Sequence, residues 1–253
     1  MSDSADQKRL FIGGIAGGIG SALANRLSSD EWTVGGFGRP SDKWSEFKDS
    51  HSDFHLFDAE ASDSKSVDKA VSEFCEEAGG IDAYVHAIGN VFLKPLHLIT
   101  DEEWESVISC NLNTAFYAAR SVIKPMRRQK SGILVFFSTV AAQAGLSNHE
   151  GIAAAKGGID GLVKSIAATY AANGLRANAI APGLVKTGAT SRLTGSEDAL
   201  RLSERMHPLG RIGDPDEVAS LAAWLVSKDA TWMTGQTISL DGGMGTVLPK
   251  PRA

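Results

Sequence analysis

A parallel, doubly wound α/β sheet of about seven strands, with helices on both faces, is the architecture the sequence predicts. Two observations predict it. Short apolar runs recur from end to end with longer helical patterns between them. The runs also lack polar–apolar alternation, as expected of strands covered on both faces. Strand–helix alternation of this kind is the signature of a parallel sheet with helices packed on its two sides.

The runs, in order, are Leu10–Ile12, Thr33–Phe37, Phe54–Phe57, Ala83–Ala87, Ile133–Phe137, Ala177–Ile180 and Thr237–Leu240. Helical patterns fall at 18–29, 63–78, 101–130, 148–172 and 214–227. The last opens with Asp214-Pro215-Asp216-Glu217: a capping acid, proline at the first helical position and acids in the first turn. Lys124-Pro125-Met126-Arg127-Arg128 closes helix 101–130, where the C-terminal dipole favours cations, so this basic cluster reads as a helix end and not a nucleic-acid surface. Trp104, Trp224 and Trp232 read as packing anchors. No repeat, low-complexity tract or long linker divides the chain, and one domain over 1–253 is expected.

Bulk properties exclude several classes. A net charge of −5 argues against nucleic acid or an anionic membrane as partner. No apolar run reaches the roughly 18 residues of a transmembrane helix. Met1–Arg9 is polar, without a signal-peptide core, and reads as a disordered lead-in; Pro249–Ala253 reads as a frayed tail. Cys75 and Cys110 are too isolated for a disulfide framework or a metal site, so no metal is expected and the reduced thiols fit a cytoplasmic protein.

Gly13-Gly14-Ile15-Ala16-Gly17-Gly18-Ile19-Gly20 follows the first strand and opens the first helix. Glycines there allow a tight turn and bring backbone N–H groups close to a pyrophosphate at the helix N-terminus, which makes the predicted sheet Rossmann-type. About 20 residues on, such folds place an acid against the ribose 2′-hydroxyl of NAD. Here the second strand runs out into Gly38-Arg39-Pro40. No carboxylate stands there to repel a 2′-phosphate, and Arg39 can pair with one bidentately, so NADP(H) is favoured over NAD(H).

From Leu10 to Gly243 the chain resembles the short-chain dehydrogenase/reductase family, on motifs that occur in the family's order. Gly14, Gly18 and Gly20 match its Gly-x-x-x-Gly-x-Gly turn; Gly13, where the family often has Thr, is a departure expected to loosen the turn. The resemblance implies that Asp58 accepts from the adenine amino group. It places His86-Ala87-Ile88-Gly89 where the family has Asn-Asn-Ala-Gly, which puts Ala87 and Gly89 against the cofactor. It makes Asn111 the helix residue that holds a water in a proton relay. Thr139, 17 residues before Lys156, stands at the spacing of the family's catalytic Ser. Pro182, Gly183 and Thr187 resemble the segment that clasps the nicotinamide carboxamide, and Thr234-Gly235-Gln236 with Asp241-Gly242-Gly243 the C-terminal strand and turn. Val185–Pro208 matches the variable region that covers substrate.

The family's active-site Tyr lies four residues before its Lys. Lys156 is present, but position 152 is Ile. Tyr84, Tyr117 and Tyr170 map to a strand, a helix middle and the far end of the Lys156 helix, so none replaces it. His149 is the remaining candidate. Ser147-x-x-Glu150 reads as a capping box that starts the helix at Ser147, and seven residues are about two turns, which places His149 and Lys156 on one face. The family's enoyl reductase branch has Tyr at that spacing.

The expected activity is NADP(H)-dependent reduction of a carbonyl or activated C=C of a small molecule. Asn111, Thr139 and Lys156 form its frame, and His149 or an ordered water supplies the proton. The alternative is an NADP(H)-binding sensor or structural subunit without efficient catalysis. The resemblance implies a homotetramer or dimer assembled through the C-terminal strand and helices 101–130 and 148–172, the last through Ala153, Ala154, Gly157 and Gly161.

Overall fold

The computed structural model describes residues 7–28 and 31–248. At its centre lie β1 (Lys8–Gly13), β2 (Trp32–Gly38), β3 (His55–Asp58), β4 (Ala83–His86), β5 (Gly132–Phe137), β6 (Leu175–Pro182) and β7 (Thr237–Leu240). They form one parallel sheet in the order β3-β2-β1-β4-β5-β6-β7. The order reverses between β1 and β4, and in open α/β sheets the crevice at that point, beyond the strands' carboxyl ends, is where ligands bind.

The period-two pleat sends neighbours to opposite faces, and each face is apolar. Phe11, Phe37, Tyr84, Leu134 and Phe136 pack on one side with α3 (Ser64–Ala78), α5 (Thr114–Gln129) and α6 (Glu150–Tyr170). Leu10, Ile12, Val34, Val85 and Val135 pack on the other with α1 (Gly18–Leu27), α2 (Asp42–Ser50) and α9 (Pro215–Val226). Asp214 caps α9 in a full capping box with Glu217, as the sequence predicts.

Several elements differ from expectation. Lys8 and Arg9, read as lead-in, begin β1; residues 1–6 of that lead-in and the tail 249–253 lie outside the described residues. The predicted helix 101–130 divides into α4 (Asp101–Ile108), a π turn (Ser109–Asn113) and α5, with the Thr114 amide reaching back to Ser109. The π turn spans five residues, too few for the slip it makes in the apolar period to stand out between two helical segments. Short α2 shows only Trp44 and Phe47 buried, too few for a visible period; the Ser41 hydroxyl caps it, accepting from the Trp44 amide at 3.2 Å. Trp104, Trp224 and Trp232 are exposed and lie outside the core; the buried indoles are Trp32 and Trp44.

Within Val185–Pro208 the chain forms α7 (Ser191–Thr194) and α8 (Glu197–Met206), the latter capped by Ser196. Neither buries a side chain. No helix among the described residues is long and apolar enough to cross a membrane.

Candidate active site

A cleft of about 560 Å³ opens beyond the carboxyl ends of β1, β2 and β4, at the point where strand order reverses. Gly14, Arg39, Ala87 and Gly89 line it, as do Gly17, Glu60, Asn90, Cys110 and Thr114. Gly14 has φ +77, and a Cβ there would lie 2.8 Å from the Ile88 side chain and 2.9 Å from the Ala87 carbonyl. Any side chain would be strained and would fill the cradle. No side chain caps the first-turn amides of α1, whose N-cap is Gly17. Those free N–H groups, on Gly18, Ile19 and Gly20, can receive a pyrophosphate. Thr187 sits directly over this turn, its methyl 3.0 Å from where a Gly18 side chain would begin. A dinucleotide therefore fits these residues.

Arg39 is exposed at the cleft and, among the described residues, pairs with no carboxylate. Asp58 is not among the residues that line the cleft. One of its oxygens accepts from the Trp44 indole at 2.5 Å and from Lys48 at 2.9 Å, and these bonds, the indole's first, lower the carboxyl pKa. That oxygen belongs to α2 and not to the cleft.

Gly13, expected to loosen the turn, has a different reason to be small. A Cβ there would meet the Tyr84 hydroxyl at 2.5 Å and Phe37 at 3.1 Å. Tyr84 fills that space and begins a buried polar chain that the sequence reading missed. The Thr114 hydroxyl donates to the Cys110 carbonyl at 2.7 Å, so its oxygen must accept from His86 Nε2 at 3.2 Å. His86 Nδ1 then accepts from the Tyr84 hydroxyl at 2.8 Å. Burial, helped by the nearby Lys156 charge, drops the His86 pKa to about 3, which fits this neutral tautomer. The chain ends on the π turn that carries Asn111.

Asn111 is fully buried. Its Nδ2 donates to the Asn90 side chain at 2.7 Å and to the Val107 carbonyl at 3.0 Å, while Oδ1 accepts from the Asn90 amide at 3.1 Å. Among the described residues Oδ1 accepts this one bond, which leaves its second lone pair unused. Lys156 is buried too. Its ammonium donates to the Phe137 carbonyl at 2.8 Å, and burial lowers its pKa to about 8. Both side chains reach Gly89: a Cβ there would lie 2.7 Å from Asn111 Oδ1 and 3.1 Å from Lys156 Nζ.

Thr139 follows β5, with its hydroxyl half-exposed and accepting from the Ala141 amide at 3.3 Å. The adjacent Ser138 is buried and donates to the Lys156 carbonyl at 3.3 Å. Pro182 ends β6, and the Gly183 amide donates to Leu240 at 3.1 Å.

The predicted capping box at Ser147 does not form. Asn148 takes a left-handed φ of 63, its carbonyl accepts from the Lys94 amide at 2.9 Å, and α6 starts at Glu150 with His149 as its N-cap. His149 Nδ1 meets the Ser147 carbonyl at 2.7 Å. A carbonyl only accepts, so Nδ1 carries the hydrogen and neutral His149 presents a bare Nε2. Among the described residues no hydrogen bond joins His149 to Thr139 or Lys156. Ile152, one turn before Lys156, is buried.

Residues 14–245 match the family described as Enoyl-(Acyl carrier protein) reductase. A 3beta-hydroxysteroid dehydrogenase 1 of Eggerthella lenta is 30% identical over 98% of this chain and 97% of its own length. A 3-oxoacyl-[acyl-carrier-protein] reductase MabA of Mycobacterium tuberculosis is 32% identical over 90% of this chain and 89% of its own. A short-chain type dehydrogenase/reductase from Mycobacterium ulcerans superposes with a TM-score of 0.88 at 25% identity, covering 94% of this chain and 89% of that one. Fold and relatives define an oxidoreductase on a doubly wound α/β sheet. The chain belongs to the short-chain dehydrogenase/reductase family.

Proposed function

We propose that this chain is an NADP(H)-dependent reductase of a carbonyl or activated C=C in a small molecule, working with a non-standard proton donor. The observation that carries the reading is the convergence of buried Lys156 and Asn111 on Gly89 at the edge of the cleft, with Ile152 where the family's Tyr belongs. Arg39, exposed at the cleft and in no ion pair among the described residues, supports NADP(H) over NAD(H).

Bound NADPH supplies a hydride to the carbonyl carbon, or to the β-carbon of an enone or enoyl thioester. The residues of the chain deal with the charge left on the substrate. Thr139 donates a hydrogen bond to the substrate oxygen, and the Lys156 ammonium stabilises the oxyanion or enolate electrostatically. Ile152 can give no proton, and the Tyr84 hydroxyl is committed to His86. His149 delivers the proton from Nε2 as imidazolium, because its neutral form already spends its only N–H on Ser147. Asn111, with one lone pair open, holds the water of the relay.

Half-buried Gly157 and exposed Gly161 on α6, each with open space where a Cβ would stand, leave room for a second copy, which supports a homotetramer or dimer. The same reading makes 1–253 one cytoplasmic domain without a metal.

A second reading is a protein that binds NADP(H) without turning substrate over, and the loss of the tyrosine hydroxyl at Ile152 favours it. NADPH oxidation across ketones, quinones and enoyl thioesters separates the two. Turnover on one class that Lys156→Ala abolishes supports the reductase; tight NADPH binding with no turnover on any class establishes the binder.

A further inference from the structure

His207 follows α8 and is buried, 3% exposed, although α8 itself buries no side chain. Its two ring nitrogens face opposite kinds of partner. Nδ1 lies 2.8 Å from the Ser203 carbonyl, on α8, and must donate to it. Nε2 accepts from the Leu184 amide at 3.1 Å, on the segment that leaves β6. One geometry satisfies both: a neutral imidazole with its hydrogen on Nδ1. The imidazole is thus a bridge between the helix and the end of the sheet. It fits so closely that a Cβ on Gly183 would lie 2.6 Å from Nε2.

The charged groups around the ring are committed elsewhere. Asp241, on the turn after β7, accepts from the Gly243 amide at 2.9 Å and the Gly245 amide at 2.8 Å. Arg211 and Glu217, which share a cavity with His207, pair with each other at 2.6 Å. Glu204 lies on α8 and meets His207 only through its carbonyl, which accepts from the His207 amide at 3.1 Å; Lys186, beyond Leu184, is exposed. No carboxylate bonds to Nε2 to hold an imidazolium in place. A second ring proton would set N–H against the Leu184 N–H and break the bridge.

We propose that His207 is a positioning residue that hangs α8 on the end of β6 through a neutral imidazole, so that protonating this ring releases it. This rests on the reading that residues 185–208 cover the substrate, which makes the consequence for catalysis a loss of substrate affinity at acid pH. Leu184 lies next to Pro182 and Gly183, so the bridge couples the cover to the segment that ends beside the cofactor cleft.

The test is amide hydrogen exchange of residues 197–206, corrected for intrinsic rates, at pH 7.5 and 5.5. It compares the wild type with His207→Gln, whose carbonyl can accept from Leu184 but cannot titrate. Exchange should rise about tenfold or more on acidification in the wild type and stay level in the glutamine variant. No rise in the wild type, or an equal rise in the variant, overturns the bridge. With a substrate in hand, KM should rise at acid pH in the wild type and not in the glutamine variant, whatever pH dependence of kcat the two share. Acid-sensitive exchange with no turnover on any substrate leaves the bridge standing and removes the reductase reading instead.

Discussion

The Lys156 ammonium and the Asn111 carboxamide come from different helices and meet at a residue with no side chain: Asn111 Oδ1 lies 2.7 Å, and Lys156 Nζ 3.1 Å, from the point a Gly89 Cβ would occupy. Neither group is free to retreat. Asn111 is fixed by bonds to Asn90 and Val107, and Lys156 by its bond to Phe137. Gly89→Ala should therefore push into fixed groups and not into a flexible chain end. The expected cost is about 1–3 kcal/mol of stability, as for overpacking elsewhere, with loss of NADPH turnover. Urea unfolding and a turnover assay on the same sample check it; a variant of wild-type stability and activity would show that the site yields at this point.

Lys156 is held near a pKa of about 8 by burial, against 10.5 for the free side chain. If its charge stabilises the reduced substrate, reductive kcat falls as pH rises through about 8. Stability moves the other way. Between about 8 and 10.5 the folded chain has lost the proton that the unfolded chain keeps, so unfolding free energy rises with pH across that window. Lys156→Met should remove the stability slope and cut kcat by about a hundredfold or more. A pH–rate profile with no limb near 8 would take the ammonium out of the chemistry.

What the sequence made legible follows from burial. β1, β2, β4, β5 and β6 were visible because both faces are covered, so each is an apolar run, while the edge strands β3 and β7 are short and less buried. The glycines of the cleft were visible because backbone must approach backbone there. The π turn was not, since a slip of the apolar period confined to five residues around Asn111 does not stand out between two helical segments. α8 was not, because it buries nothing. The His149 cap was misplaced because Asn148 adopts a left-handed turn that its neighbours impose. The Tyr84–His86 pair had a signal that went unread: residues two apart on a strand share a face, and Gly13 is the small residue that makes room for the Tyr84 hydroxyl.

Arg39 stands at the cleft without an acidic partner among the described residues, and a 2′-phosphate would supply one. Hydrogen bonds to charged groups contribute about 1.5–3 kcal/mol, so Arg39→Ala should weaken NADPH binding by about tenfold to a hundredfold and leave NADH nearly unchanged. Fluorescence titration of both nucleotides measures the ratio. If NADH binds the wild type more tightly than NADPH, Arg39 is a surface arginine and the cofactor assignment is wrong.

His149 can deliver a proton only as imidazolium, because the Ser147 carbonyl takes the Nδ1 hydrogen. His149→Phe should reduce turnover by about tenfold or more with NADPH binding intact. His149→Gln keeps an amide N–H but cannot transfer a proton, and it should be equally impaired. Unchanged turnover in the phenylalanine variant removes His149 from the mechanism and leaves water or the substrate as the source.

His86 ties the cleft to the acid stability of the whole chain. Burial holds its pKa at about 3, against 6.5 for the free side chain, and protonation would also break the bond it accepts from Tyr84. The sign follows. Below 6.5 the unfolded chain takes up a proton that the folded chain refuses, so this group's contribution is complete above 6.5 and lost as pH falls toward 3. At pH 5 the loss is about 2 kcal/mol. His86→Asn keeps a polar side chain that does not titrate. It should be less stable than the wild type at pH 7.5, through the broken link to Thr114, yet lose about 2 kcal/mol less on going to pH 5. Urea unfolding of both proteins at the two pH values gives the double difference. Equal losses would mean that His86 takes up its proton in the folded chain as readily as in the unfolded one.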